Sequence, residues 1–252
     1  GNLSVDGGTI KLDGNYPTAL RSSALGDLAL DAVTSGADSD TAIGYGALTS
    51  NTSGSFNTGV GRGALASNVT GANNTSVGAY SLNSNTGSQN TAVGYQSLVA
   101  STTGANNVAV GRDSGCSLTT GGYTTVVGSR ALQSATTPNN NTALGYQALQ
   151  FATTSNNVAV GAESANYTTS GTDIASLGYA SLNQNTTGSQ NTAIGSRALL
   201  SNTTGDSNVA IGRCALSSNT TSGNSVAVGT DALRLNTASN NTAIGHKAME
   251  NT

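Results

Sequence analysis

A few residue types in this chain could do chemistry, and their spacing decides how much. A hydrolytic triad needs a nucleophile, a base and an orienting acid within hydrogen-bond reach, and the sole imidazole is His246. It follows directly on a recurring glycine, in a column that otherwise holds Tyr45, Arg62, Ala79, Tyr95, Arg112, Ser129, Tyr146, Ala162, Tyr179, Ser196, Arg213 and Thr230. Variable polar residues of that kind mark an exposed edge, so His246 reads as solvated and no catalytic residue is expected. No Cys or His pair has metal-ligand spacing, and half of the twelve carboxylates fall in the first forty residues with no calcium-loop pattern. Neither a metal nor a cofactor is expected. Cys116 and Cys214 stand six repeats apart, which is roughly 29 Å at strand spacing against the ~7 Å limit for a disulfide. Each reads as a solitary small packing residue.

Two columns have binding chemistry. The Tyr and Arg residues of the edge just described offer rings and guanidinium groups, which stack on sugars or on each other; shielding of a strand edge is the plainer use. Eight residues after each glycine stands a threonine: Thr52, Thr86, Thr102, Thr119, Thr136, Thr153, Thr169, Thr186, Thr203, Thr220 and Thr237, interrupted by Val69. A threonine ladder on a regular β-rod could bind ice. Its second threonine usually follows at once, as in Thr102-Thr103, whereas adjacent residues on a strand point to opposite faces and an ice-facing array needs them two apart.

What positions these columns is a repeat. The glycine closing each Val/Ile/Leu-Gly pair recurs at Gly44, Gly61, Gly78, Gly94, Gly111, Gly128, Gly145, Gly161, Gly178, Gly195, Gly212, Gly229 and Gly245, with spacings of 17 residues nine times and 16 three times. A weaker copy surrounds Gly26. Such regularity is the signature of a solenoid, in which one unit cannot bury its apolar face alone. Just before the glycine sits Val, Ile or Leu, and two before it a small residue such as Ala42, Gly59, Ser76 or Ala92, with Val126 the bulky exception. Three after it stands Ala or Ser, and four after it usually Leu. Short β-branched stretches alternating with Ser/Thr/Asn/Gly turns predict two short strands and two turns per repeat rather than a helix. Fourteen coils stacked at ~4.8 Å would make a rod roughly 65 Å long. In-register stacking also puts Asn57, Asn74, Asn90, Asn107, Asn141, Asn157, Asn191, Asn208 and Asn241 over one another. Each amide can then donate to the coil on one side and accept from the other.

Composition fits an ordered all-β chain. Of 252 residues only 21 are charged, two are proline and 33 are glycine, whereas a disordered chain of this hydropathy would carry far more charge and proline. Nine basic against twelve acidic residues, with no basic cluster, exclude the phosphate neutralisation that nucleic-acid affinity requires. No apolar run approaches the roughly 20 residues that span a bilayer, so no membrane insertion is expected. The strand "NTAIG" is apolar or small on both faces, so both sides need cover. The expectation is that the β-branched face fills the roll, opposite Leu, while the flat Ala/Gly face meets another chain. That predicts a homotrimer, with Ala143 in the interface, in preference to a monomeric solenoid.

The string "SVAVG" at 225–229 and its variants "NTAIG" and "NVAIG", followed three residues later by Ala or Ser, resemble the head repeats of trimeric autotransporter adhesins, which are left-handed parallel β-rolls wound from three chains. The longer repeat with its "SNTTG" turn at 201–205 is similar to runs in bacteriophage tail fibres, and "GNLSVDGGTIKLDGNYP" at 1–17 is similar to the β-segments that precede such runs. The expected organisation is therefore an N-terminal β segment over 1–21, acting as a fibre connector, and a parallel β-solenoid over 22–252. The resemblance implies a non-enzymatic structural or adhesive segment of a virion tail fibre that holds or forms a host-attachment tip. Its implied partners are two further copies of the chain and a host cell-surface glycan or protein. A bacterial trimeric adhesin head at the cell surface, and an ice-binding solenoid, are the alternatives.

Overall fold

The computed structural model describes residues 21–33 and 37–251. The chain forms two compact units, residues 1–123 and 124–252. The first holds six parallel strands, from β1 (Ser23–Leu25) to β6 (Val108–Val110), and the second holds eight, from β7 (Thr125–Val127) to β14 (Thr242–Ile244). Within a unit every strand pairs in register with that of the next coil: Thr41, Ala42 and Ile43 lie beside Thr58, Gly59 and Val60, and Thr192, Ala193 and Ile194 beside Val209, Ala210 and Ile211. The protein is an all-β parallel solenoid with one coil per repeat, and no helix occurs among the described residues. The expected β segment over residues 1–21 lies, apart from Arg21, outside the described residues.

Each coil has one three-residue strand, not two. Where a second strand was expected, the chain makes consecutive turns that use left-handed backbone at the second and fourth residues after the glycine. Gln96 and Leu98, for example, have φ of 53° and 50°. Left-handed backbone costs a non-glycine residue about 1–2 kcal/mol, and it persists only where the surroundings fix it. Here two things fix it. The leucine side chains of this column (Leu48, Leu65, Leu98, Leu149, Leu199) are fully buried inside the coil. Their amides also donate to the next coil, as Leu48 does to Ala64 O at 3.0 Å and Leu199 to Ala215 O at 2.9 Å. A turn therefore does what a strand would have done, presenting one leucine inward and bonding coil to coil.

The interior is the reverse of the expectation. The small column (Ala42, Gly59, Ser76, Ala92, Ala109, Ala143, Ala159, Ala193, Ala210, Ala227) points inward and is buried within its own chain. The β-branched column points outward: Ile43 is 41% exposed, Val93 36% and Leu177 48%. The reason is width. A Cβ added to Gly59 would meet Leu48 Cγ at 3.3 Å and Ala64 O at 3.3 Å, so leucine and one methyl fill that coil; Val126 alone in the column turns a bulkier side chain inward, buried in its own coil. Because strand side chains alternate with period two, this single constraint turns the entire bulky face outward. Inward serines keep their hydroxyls satisfied, as Ser176 Oγ does by donating to Ser181 O at 3.0 Å.

Since Ala143 is packed inside its own coil, Ala143→Leu is expected to lower unfolding stability by about 1–3 kcal/mol through overpacking. Thr142→Val beside it, facing outward, should stay within about 0.5 kcal/mol. Chemical denaturation of both variants checks the assignment of faces.

Candidate functional site

The surfaces that could bind something are held by two ladders of buried amides. In the first, the Asn that precedes most of the strands turns both polar atoms to the same neighbour. Asn57 Oδ1 accepts from the Asn74 backbone N–H at 3.0 Å while its Nδ2 donates to Gly71 O at 2.9 Å, both in the following coil. Asn90 and Asn191 repeat the arrangement. The amides thus do not chiefly bridge the coils on either side, as stacking alone suggested, although Asn74 Nδ2 also reaches back, to Asn57 Oδ1 at 3.1 Å. The second ladder, which sequence reading missed, stands seven residues after the glycine. Asn51, Asn68, Asn202 and Asn219 are buried and donate to the carbonyl three residues on. They also link coil to coil, as Asn219 Nδ2 does to Asn202 Oδ1 at 2.9 Å. Its signal was the Asn of "SNTTG", immediately ahead of the threonine column.

One carboxylate stands in the first ladder. Asp40 occupies the Asn position ahead of Thr41 and is 1% exposed. It accepts from the Asn57 N–H at 2.7 Å and from Asn51 Nδ2 at 2.8 Å. Loss of solvent raises its pKa from 3.8 to about 6, against those hydrogen bonds, which pull it down.

The threonine column is consumed by the fold. The hydroxyls of Thr52, Thr86, Thr102, Thr153, Thr169, Thr186 and Thr203 each donate to a carbonyl of the next coil at 2.7–3.2 Å. Regular outward chemistry lies instead on the strand face. There Ile, Val or Leu repeats at every coil of each unit, half-exposed or more, and two residues ahead of it stands Thr or Val, with Ser23 and Ala175 as the exceptions.

The tyrosine and arginine edge is exposed, as its variability indicated: Tyr45, Tyr95, Tyr146 and Tyr179 all stand out from the surface. In the first unit it gathers into a cleft of about 290 Å³ lined by Leu28, Tyr45, Gly46, Thr49, Arg62, Gly63, Ala66 and Tyr80. The Arg62 guanidinium carbon lies 5.8 Å from the Tyr45 ring centroid and 5.5 Å from that of Tyr80. Tyr80 in turn meets Tyr95 edge to face, centroids 6.5 Å apart. Tyr80 was not singled out by its sequence position, because it stands one residue beyond the Tyr/Arg column. The left-handed second position (φ 59°) swings it back over Arg62. Arg112 and Arg213, in Arg62's own column, instead face Asp113 and Asp231, at 3.5 and 3.1 Å.

His246 is exposed, and Cys116 and Cys214, both half-buried, form no disulfide among the described residues. Among the described residues no group of three or more His, Cys, Asp or Glu side chains converges on one point. No protein family, no curated protein and no solved structure matches the chain.

The Asp40 site sets a pH dependence. Its pKa is higher folded than unfolded, so the fold favours the protonated acid; this group's support is complete below about pH 4, falls as pH rises through about 6, and is then constant. Asp40→Asn restores the ladder amide. It should flatten that window and raise stability at pH 7 by up to roughly 2–3 kcal/mol, read from melting curves of both proteins between pH 4 and 8.

Proposed function

We propose that this solenoid is a non-enzymatic segment of a trimeric fibre, associating lengthwise through the outward face of its strands. The observation that carries the reading is the row of half-exposed Ile, Val and Leu at every coil of each unit. A contiguous apolar row on a protein surface ordinarily marks an association site, and identical rows on identical chains close around a symmetry axis. The interface is therefore the β-branched face, and the alanine face serves the interior of each chain. Three copies come from the likeness of "NTAIG" to the head repeats of trimeric adhesins, and the setting, a bacteriophage tail fibre on the virion, from that of the "SNTTG" repeat to fibre runs. A bacterial surface adhesin head would use the same face.

Sedimentation equilibrium tests the reading. A mass near three times 24.7 kDa is expected, falling to the single-chain value in the Val93→Lys, Ile194→Lys double variant with an unchanged circular dichroism spectrum. A single-chain mass for the parent protein would remove the trimer.

One observation favours a second reading. Thr41, Thr58, Thr75 and Thr91 point outward with a β-branched residue two positions further on, the spacing of an ice-facing array with Ile or Val in place of its second threonine. Thermal hysteresis in the parent protein, lost in Thr58→Lys, is the expected sign of ice binding; unaltered freezing rejects it.

A further inference from the structure

We propose that the cleft between Tyr45 and Tyr80 is a binding site for a carboxylated sugar of the hexuronate class, with Arg62 as its anion receptor. The site lies entirely within coils of the first unit and does not rest on the trimeric reading. Three features of the cleft point the same way.

The first is the state of Arg62. Its guanidinium is held between two tyrosine rings, and among the described residues no carboxylate or carbonyl receives its N–H groups. Cation–π contact with the ring faces uses none of a guanidinium's five donors. What remains is a planar fork, and a carboxylate is the group that fork matches in two parallel charge-assisted hydrogen bonds. Arg112 and Arg213 meet carboxylates of their own chain, so the open fork is particular to Arg62 within these three.

The second feature is the emptiness beside it. The position two after the glycine carries a side chain in most coils, such as Gln96, Asp113 and Gln147, all with left-handed backbone. In the two middle coils of the cleft it is Gly46 and Gly63, while Leu28 and Tyr80 hold the same position in the coils on either side. A Cβ built on Gly46 would meet nothing within 4 Å, whereas one on Gly63 would press on the Tyr80 ring at 3.1 Å. Gly46 thus opens the floor and Gly63 lets Tyr80 close the wall. The left-handed backbone does not by itself demand glycine at 46, because glutamine adopts it at 96 and 147.

The third is the character of the walls. Leu28 and the Tyr45 ring give an apolar surface, with Thr49 as a hydroxyl within the lining. A pyranose offers C–H faces to the rings and hydroxyls to polar groups, and its carboxylate reaches the guanidinium. At about 290 Å³ the cleft lies at the small end of ligand sites, ~300–1,000 Å³, which suits a terminal ring rather than a long buried oligosaccharide.

The test uses the full chain and three probes: sodium glucuronate, glucose and sodium acetate, followed by saturation-transfer difference NMR and titration. Glucuronate is expected to receive saturation on its ring protons and to bind at least about tenfold more tightly than either control, since hydrogen bonds to a charged group carry that much. Arg62→Gln should abolish the preference for the acid. Gly46→Gln, which restores the side chain used elsewhere in the column and leaves the charge in place, should block the cleft and lose binding with an unchanged melting temperature. Equal affinity for acetate would show a bare anion contact and overturn the proposal, as would equal affinity for glucose, absence of saturation transfer, or glucuronate binding that survives both substitutions. None of these results changes the mass that tests the fibre reading.

Discussion

Every other feature of this protein depends on how closely the backbone of one coil lies against that of the next. At the corner that ends each strand, a Cβ placed on Gly94 would lie 2.5 Å from Gly111 O, and one on Gly195 would lie 2.7 Å from Gly212 O. No side chain fits there, and the glycines hold φ of 125–138° from Gly44 to Gly245, a region that L-residues rarely enter. The corner fixes the direction of the chain. The amide of each glycine then donates to the residue before the previous glycine, Gly61 N to Ile43 O at 2.7 Å and Gly212 N to Ile194 O at 2.7 Å. Coil-to-coil bonding therefore begins at the tightest point and continues round the turn.

A coil this narrow leaves little apolar volume, and buried amides make up the difference. Asparagines inside a fold are costly unless satisfied; here Asn57, Asn90, Asn191 and Asn208 each both donate and accept in the following coil. The ladder is directional, so a missing member is felt on one side. At Ile174 the column holds an apolar side chain, fully buried. The coil before it still bonds through Asn157 Oδ1 to the Ile174 backbone N–H at 3.1 Å, but Ile174 offers no amide of its own to the coil that follows. The same coil carries Ala165 in the leucine column. Asp40, Thr124 and Ser225 are other departures, and Asp40 puts a charge where the ladder uses an amide.

Such a scaffold determines what functions are within reach. A repeat places like on like, which builds broad uniform surfaces and seldom brings unlike groups together. The outward strand face is the uniform surface, suited to a partner with the same periodicity. Chemical individuality arises only where the repeat is broken, and the cleft at Tyr45, Arg62 and Tyr80 is such a break: two glycines in a column that elsewhere carries side chains, and a tyrosine displaced by one position. Most other aromatics stand apart, although Phe151 and Tyr167 stack at 5.5 Å in the second unit.

The sequence by itself determined the fold class, the coil length and the column assignments, because the in-register coil is a local rule repeated thirteen times and periodicity is what a one-dimensional string records. It also placed His246 and the tyrosine and arginine edge on the surface. It did not determine which face of the strand points inward. Both faces of "NTAIG" are acceptable to a core, and the choice rests on the width of the closed coil, set by Leu48 and its equivalents in left-handed turns where a second strand was expected. The direction of the asparagine bonds and the meeting of Tyr80 with Arg62 were likewise decided in three dimensions. Both depend on how far the turn swings a side chain between coils, a distance that residue spacing does not contain.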